Sequence, residues 1–151
     1  MLKKFKSGSP YEEKYSYSRA LTVGDWVLVS NTAGRNHATK EMPSEPLEQL
    51  KMTIHNIRKA LQAAGADLQD VVRARIYIPN REHHSELLDY WGEVIRGIDP
   101  VVTITAGTLA SEIYLVEVEV TAYKGAREAG WEREAISLAC APIRSCYEGQ
   151  L

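Results

Sequence analysis

The most constraining feature of the sequence is the stretch 114–123, in which the side chains alternate in character along the chain. One set is apolar throughout: Tyr114, Val116, Val118, Val120 and Ala122. The other is mixed: Leu115, Glu117, Glu119, Thr121 and Tyr123. A period of two predicts a β-strand, because successive side chains point to opposite sides of a sheet. The apolar side must be covered by helices, and a different environment must meet the mixed side.

Two stretches have the periodicity of amphipathic helices. Between residues 47 and 64 the apolar positions recur every three or four residues: Leu47, Leu50, Ile54, Ile57, Leu61 and Ala64. This spacing predicts a helix that begins near Ser44 or Glu45-Pro46 and ends at Gly65, which suits a left-handed terminal residue. A second helix is predicted over residues 82–95, with Leu87, Leu88, Trp91, Val94 and Ile95 on its apolar side.

The remaining strands complete the order β-β-α-β-α-β-β. Residues 17–21 and 26–32 are predicted to form a hairpin that turns at Val23-Gly24-Asp25. Residues 71–78 predict a strand with Val72, Ala74, Ile76 and Ile78 on one face and Arg73, Arg75 and Tyr77 on the other. Residues 101–106 are predicted to form a further strand. The sequence thus predicts an α+β fold with its helices on one face of a single sheet.

The chain of 151 residues fits one main domain, predicted over residues 1–125. Residues 126–151 are expected to be a C-terminal extension, with one short helix over about residues 131–142. Cys140 and Cys146 are interpreted as thiols of this tail, because two cysteines are too few for the usual zinc set. No metal site is predicted.

Charge and hydropathy exclude several classes of function. The net charge of −2 and pI near 6.1 provide no basic surplus for a nucleic-acid backbone, so nucleic acid is not an expected partner. No stretch approaches the roughly twenty apolar residues of a membrane span, and no secretory signal is evident. We therefore expect no membrane partner and a cytoplasmic location.

The mixed face of the predicted sheet is the first candidate for function. Arg73 and Arg75 alternate on one strand, and Glu117 and Glu119 alternate on another, about 7 Å apart at a rise of about 3.3 Å per residue. The two glutamates could act as an acid/base pair, or they could pair with the arginines across strands. Because apolar side chains accompany these charges, the face also predicts self-association.

Several short strings resemble the reactive intermediate deaminase (RidA/YjgF) family. They are residues 17–20 (YSRA), 23–30 (VGDWVLVS), 57–66 (IRKALQAAGA), 70–78 (DVVRARIYI) and 116–119 (VEVE). The resemblance covers about residues 15–125 in the same order. It implies a chorismate-mutase-like fold in a homotrimer, with a small-molecule pocket at each subunit junction. It also implies cofactor-independent hydrolysis of enamines and imines to a keto acid and ammonia.

Site residues follow from the same resemblance. Glu117 would orient the hydrolytic water, and Tyr17 and Ser30 match pocket positions of the family. The family arginine that binds the substrate carboxylate corresponds to Val102, which supplies neither charge nor donor. The family asparagine of the second helix and the cysteine near the arginine correspond to Leu88 and Ile104. Arg75 is a candidate replacement for the charge.

Two functions follow from these residues. The first is a hydrolase or deaminase with Glu117 as general base and Thr103, Ser30 or Arg75 holding the substrate. The second is a non-catalytic protein that binds or senses a small metabolite. The replacement of the family arginine by Val102 favours this second function. The family's older association with ribonuclease activity would require a surface that attracts phosphates, against which the acidic balance argues.

Overall fold

A computed structural model describes residues 1–139 as one six-stranded sheet with helices on one face. The strands lie in the order β1-β2-β3-β6-β4-β5. Their bounds are β1 Leu2–Phe5, β2 Ala20–Val23, β3 Trp26–Ala33, β4 Val71–Tyr77, β5 Val101–Thr105 and β6 Glu117–Tyr123. The helices are α1 Pro10–Lys14, α2 Pro46–Ala63 and α3 His84–Val94, with short 3₁₀ turns at Leu68–Asp70 and Arg81–His83. The predicted α+β class is confirmed, as is the predicted order from β2 to β6.

Strand pairing places β6 at the centre of the sheet. It pairs antiparallel with both β3 and β4, while β5 runs parallel to β4 at the edge. The predicted hairpin is formed by β2 and β3, although its first strand begins at Ala20 rather than at Tyr17. Its turn is Gly24-Asp25, and Gly24 has the positive φ of 57° expected of that residue type.

The core lies between the sheet and helices α2 and α3. Val116, Val118 and Ala122 are fully buried, as the alternation predicts. Leu50, Ile57 and Leu61 of α2 and Leu87 of α3 are also fully buried. The sheet face away from these helices, here called the open face, carries Leu28, Arg75, Glu117 and Glu119.

The sequence prediction for the start of β4 was wrong at one position. Val71 is buried, whereas Val72 is only partly buried. The pairing of β4 with β6 shifts between Val71 and Arg73, so one extra residue is accommodated there. Such a bulge reverses the alternation locally, which simple periodicity does not reveal.

The N-terminal elements β1 and α1 were not predicted. Lys3 and Lys4 gave residues 2–5 a polar character, yet this segment pairs antiparallel with β2 as an edge strand.

At the other end, residues 131–139 form neither helix nor strand, so the short helix expected there does not form in this part. Trp131, Ile136 and Leu138 are exposed, and without packing an isolated short helix is marginal. Cys140 and Cys146 lie outside the described residues.

None of the helices formed by residues 1–139 has the length and apolar character that a membrane crossing requires.

Two loops are tied to the start of α2 by the buried amide of Gln49. Its Nε2 donates to the carbonyl oxygens of Pro43 and Ile113, each at 2.8 Å. Its Oε1 accepts from the backbone N–H of Leu115 at 2.9 Å. Gly34, which follows β3, lies directly against the backbone of Gln49. The close approach needs a residue without Cβ.

We predict that Gly34→Ala destabilises the fold by about 1–3 kcal/mol or more, because its Cβ would overlap the backbone of Gln49. Gly92→Ala is the matched control: its Cβ would meet nothing within 4 Å, and Gly92 lies within α3. The control should gain up to about 1 kcal/mol from helix propensity. Urea unfolding measures both, and an unchanged midpoint for Gly34→Ala would contradict the close contact.

Candidate functional site

A cavity of about 410 Å³ lies on the open face where β3 ends and β6 begins. We call it the Glu117 cavity. Its walls include Tyr17, Arg19, Asn31, His37, Tyr114 and Glu117. The antiparallel pairing of Ala33 with Glu117 brings the last residues of β3 beside the first residue of β6. Residues from three separate parts of the chain therefore meet here.

Glu117 is the acidic group of this cavity. Its Oε2 accepts a hydrogen bond of 2.7 Å from Nδ2 of Asn31. Partial burial raises the pKa of the Glu117 carboxyl, and the positive charge of Arg19 opposes this shift. A raised pKa brings a carboxyl closer to the range in which it can both accept and return a proton at neutral pH.

A bulge in β3 turns Asn31 toward Glu117. Strict alternation from Val27 and Val29 would place Asn31 in the core. The pairing with β6 instead shifts between Val29 and Thr32, and Thr32 is the next buried side chain. Asn31 is thereby left on the open face, where it contacts Glu117. No periodic signal in the sequence identifies this residue.

Arg19 is the second residue that the sequence prediction missed. Its Nη1 donates to the backbone oxygen of Asn31 at 3.1 Å and to Oγ1 of Thr32 at 3.2 Å. The guanidinium carbon lies 5.8 Å from the centroid of the Tyr17 ring, which is within cation–π range. The only sequence signal was its place between Tyr17 and Ala20 in a string that resembles the family.

A buried carboxylate holds Arg19 from the other side. The side chain of Glu12 is 1% exposed, and its Oε1 lies 3.5 Å from Nε of Arg19. Ser7 donates twice to this carboxylate, from its backbone N–H at 2.8 Å and from Oγ at 2.6 Å. Helix α1 thus provides the counter-charge that fixes Arg19 at the cavity wall.

The structure brings only some of the predicted site residues together. Tyr17 shares the cavity with Glu117. Ser30 lies beside it, where its Oγ donates to the backbone oxygen of Ser18 at 2.7 Å and it lines a neighbouring cleft of about 490 Å³. Arg75 lies on the open face outside both cavities, in an ion pair of 3.3 Å with Glu119. Thr103 is exposed on β5, next to Arg75 in the ladder.

The two glutamates of β6 have different environments. Glu119 is paired with Arg75, as cross-strand pairing predicts. Glu117 has no arginine salt bridge among residues 1–139 and is bound by an amide instead. The interpretation of the four charges as a uniform ion-pair set therefore holds for Glu119 but not for Glu117.

Val102 lies away from the Glu117 cavity within one chain. It pairs in the ladder with Ala74, a buried residue, so its side chain is on the helix side of β5. Glu117 pairs with Tyr77 on the open face. The Val102 side chain is 42% exposed at the sheet edge.

No group of three or more histidine, cysteine, aspartate or glutamate side chains within residues 1–139 could hold a metal ion.

Comparisons with known proteins agree with this fold. The family model described as Endoribonuclease L-PSP matches residues 9–124. A RutC family protein of Pyrococcus abyssi is 30% identical over 72% of this chain and 86% of its own length. A 2-iminobutanoate/2-iminopropanoate deaminase of Dermatophagoides farinae is 35% identical over 56% of this chain and 66% of its own length.

A solved structure resembles the fold closely. It is a Mycobacterium tuberculosis member of the highly conserved YjgF/YER057c/UK114 family. The two chains superpose with a TM-score of 0.74 at 31% identity, over 82% of this chain and 99% of the other.

We predict that Glu12→Ala destabilises the fold by about 3–5 kcal/mol, because it removes a buried carboxylate with its hydrogen bonds to Ser7 and leaves the partly buried Arg19 without its counter-charge. The matched control is Glu48→Ala, which breaks an exposed ion pair with Lys51 and should cost less than about 1 kcal/mol. Urea unfolding at equal protein concentrations measures the difference. Equal costs for the two variants would show that the Glu12 pair is no more important than a surface pair.

We predict that Glu117→Gln stabilises the fold at neutral pH. The folded-state pKa of Glu117 is raised, so its contribution to stability is lost as pH rises from the unfolded pKa through the folded one. Glutamine keeps an oxygen for Asn31 without the charge. The gain should vanish below the ordinary glutamate pKa of about 4.3.

Unfolding curves at the two pH values test this prediction. Glu119→Gln is the control, because it removes a partner of Arg75 and should bring no gain at either pH. A less stable Glu117→Gln at neutral pH would contradict the burial of the charge.

Proposed function

From the premise that the chain belongs to the Endoribonuclease L-PSP family, which includes RutC and YjgF proteins, we propose that it is a hydrolase of small imines or enamines. The observation that carries the proposal is the partly buried Glu117, whose pKa is raised and which faces a cavity of small-molecule size. The similarity to a 2-iminobutanoate/2-iminopropanoate deaminase supports C=N bonds as the bonds that this protein hydrolyses.

The proposed reaction is addition of water to C=N followed by loss of ammonia. Glu117 accepts a proton from the attacking water while a C–O bond forms at the imine carbon. The same carboxyl returns this proton to nitrogen, which gives a carbinolamine. It then takes the hydroxyl proton and passes it to the amine, so that the C–N bond breaks, ammonia leaves and the carbonyl forms. Asn31 holds the reacting carboxylate in position through its amide, and Tyr17 forms part of the cavity wall. The reaction consumes one water and needs no cofactor.

We propose a homotrimer as the active assembly. Among residues 1–139 the outer edge of strand β5 is unpaired, and Val101, Val102 and Ile104 are exposed on it. Exposed apolar side chains on a sheet edge favour contact with another copy. In such an assembly Arg75, Thr103 and Ser30 would contribute from the open face to a pocket at the subunit boundary.

A second candidate is a protein that binds a small metabolite without converting it. The observation in its favour is that Val102 supplies no charge and Arg75 is already paired with Glu119. A cavity can bind a ligand with such residues, while catalysis also requires Glu117 to exchange a proton.

Ammonia release from freshly generated 2-iminobutanoate tests the proposal. The wild type should turn it over, and Glu117→Gln should reduce kcat by about 100-fold or more, since a positioned acid–base group typically contributes that much. The control is Glu48→Gln, on the surface of α2, which should leave turnover unchanged.

Other outcomes separate the two candidates. Turnover by Glu117→Gln equal to that of the wild type would refute the assigned role. Binding of 2-oxobutanoate without any wild-type turnover, and with activity appearing in Val102→Arg, would establish the binding function instead.

A further inference from the structure

We propose that Arg19 is the anion-binding residue of the Glu117 cavity and selects ligands that carry a carboxylate next to the reacting carbon. This inference rests on the proposed function for the site but assigns the charge to a residue other than Arg75 or the position of Val102. Glu12 then acts as a positioning residue.

The charges of the cavity walls favour an anionic ligand. Arg19, Arg35 and Lys40 line the cavity, against the single carboxylate of Glu117. Glu12 offsets part of the Arg19 charge from behind the wall. The three cations against these two carboxylates leave a net charge of +1. A small anion entering here meets a positive environment.

The pKa of His37, which also lines the cavity, is affected by the same cations. The pKa of His37 is lowered by burial, and the positive charges of Arg19 and Lys40 lower it further. The charge of Glu12 acts in the opposite direction and only partly compensates. The cations therefore still affect the cavity despite the buried counter-charge.

The guanidinium of Arg19 retains donors for a ligand. It has five N–H donors, and within residues 1–139 its hydrogen bonds are the two made by Nη1. Nε makes a longer ion-pair contact with Glu12, and Nη2 makes no hydrogen bond in this part of the chain. Its fixed orientation reduces the entropy lost when an anion binds.

Asn31 places the cation and the acid/base group next to each other. Its backbone oxygen accepts from Arg19, while its side chain donates to Glu117. A 2-imino acid carries its carboxylate one bond away from the imine carbon. Such a molecule matches a site in which the anion-binding and proton-transferring groups are held by one residue.

Arg75 does not meet these conditions in the described residues. It lies outside the cavity and is neutralised by Glu119 at 3.3 Å. Arg19 is 16% exposed in its side chain and lines the cavity directly.

The experiment compares two probes of nearly equal shape, 2-oxobutanoate and the neutral 2-oxobutanamide, by calorimetric titration of the full-length protein. The wild type should prefer the carboxylate. Arg19→Gln should lower that preference by about 10–100-fold, the equivalent of a charge-assisted hydrogen bond. Arg19→Lys should retain part of it. The control Arg133→Gln, whose partner is Asp99 outside the cavity, should not change it.

A second variant distinguishes a loss of anion binding from a loss of folding. Arg19→Gln alone leaves the Glu12 carboxylate buried without its cation, whereas Glu12→Gln/Arg19→Gln removes both charges together. The folded double variant should also lose the preference for the carboxylate. If the double variant keeps the wild-type preference, Arg19 is only a structural partner of Glu12 and the inference fails. The inference also fails if the wild type shows no preference for the carboxylate.

These readouts do not depend on turnover. A wild type without deaminase activity, but with a carboxylate preference that disappears in the double variant, would refute the proposed reaction and retain Arg19 as the anion-binding residue.

Discussion

The buried carboxylate of Glu12 is the interaction on which the site depends. A carboxylate removed from water is costly unless hydrogen bonds and a counter-charge satisfy it. Ser7 and Arg19 supply both, so the N-terminal segment must fold back over β2 and β3. The same requirement fixes Arg19, which in turn contacts the backbone beside Asn31. The wall of the cavity is therefore determined by the need to satisfy one charge.

Two carboxylates on the same face of β6 show how neighbouring strands give identical side chains different surroundings. Glu119 forms an ion pair of 3.3 Å with the guanidinium of Arg75. Glu117 is partly buried, and this burial raises the pKa of its carboxyl, while among residues 1–139 its hydrogen-bond donor is the amide of Asn31. The difference comes from the neighbouring strands: β4 provides Arg75, and the bulge in β3 provides Asn31. A sequence pattern of alternating glutamates does not contain this distinction.

The sequence predicted the architecture because burial follows simple periods. The stripe of α2 and the alternation of β6 each identify their buried side chains, and Gly65 does end the helix, with a φ of 82°. The site was predicted less completely. Asn31 and Val72 depend on bulges, which shift the alternation by one residue and depend on long-range pairing. Arg19 became identifiable only when the partner Glu12 was known to be buried.

The side-chain amide of Gln49 connects two loops that are distant in the sequence. It binds the segment before α2 through Pro43 and the segment before β6 through Ile113 and Leu115. Movement of the Gln49 side chain would break its hydrogen bonds to both loops at once. Tyr114, in the wall of the cavity, lies between the two bound residues of the second loop. A displacement of the Gln49 side chain would therefore release the chain around Tyr114 together with the loop that precedes α2.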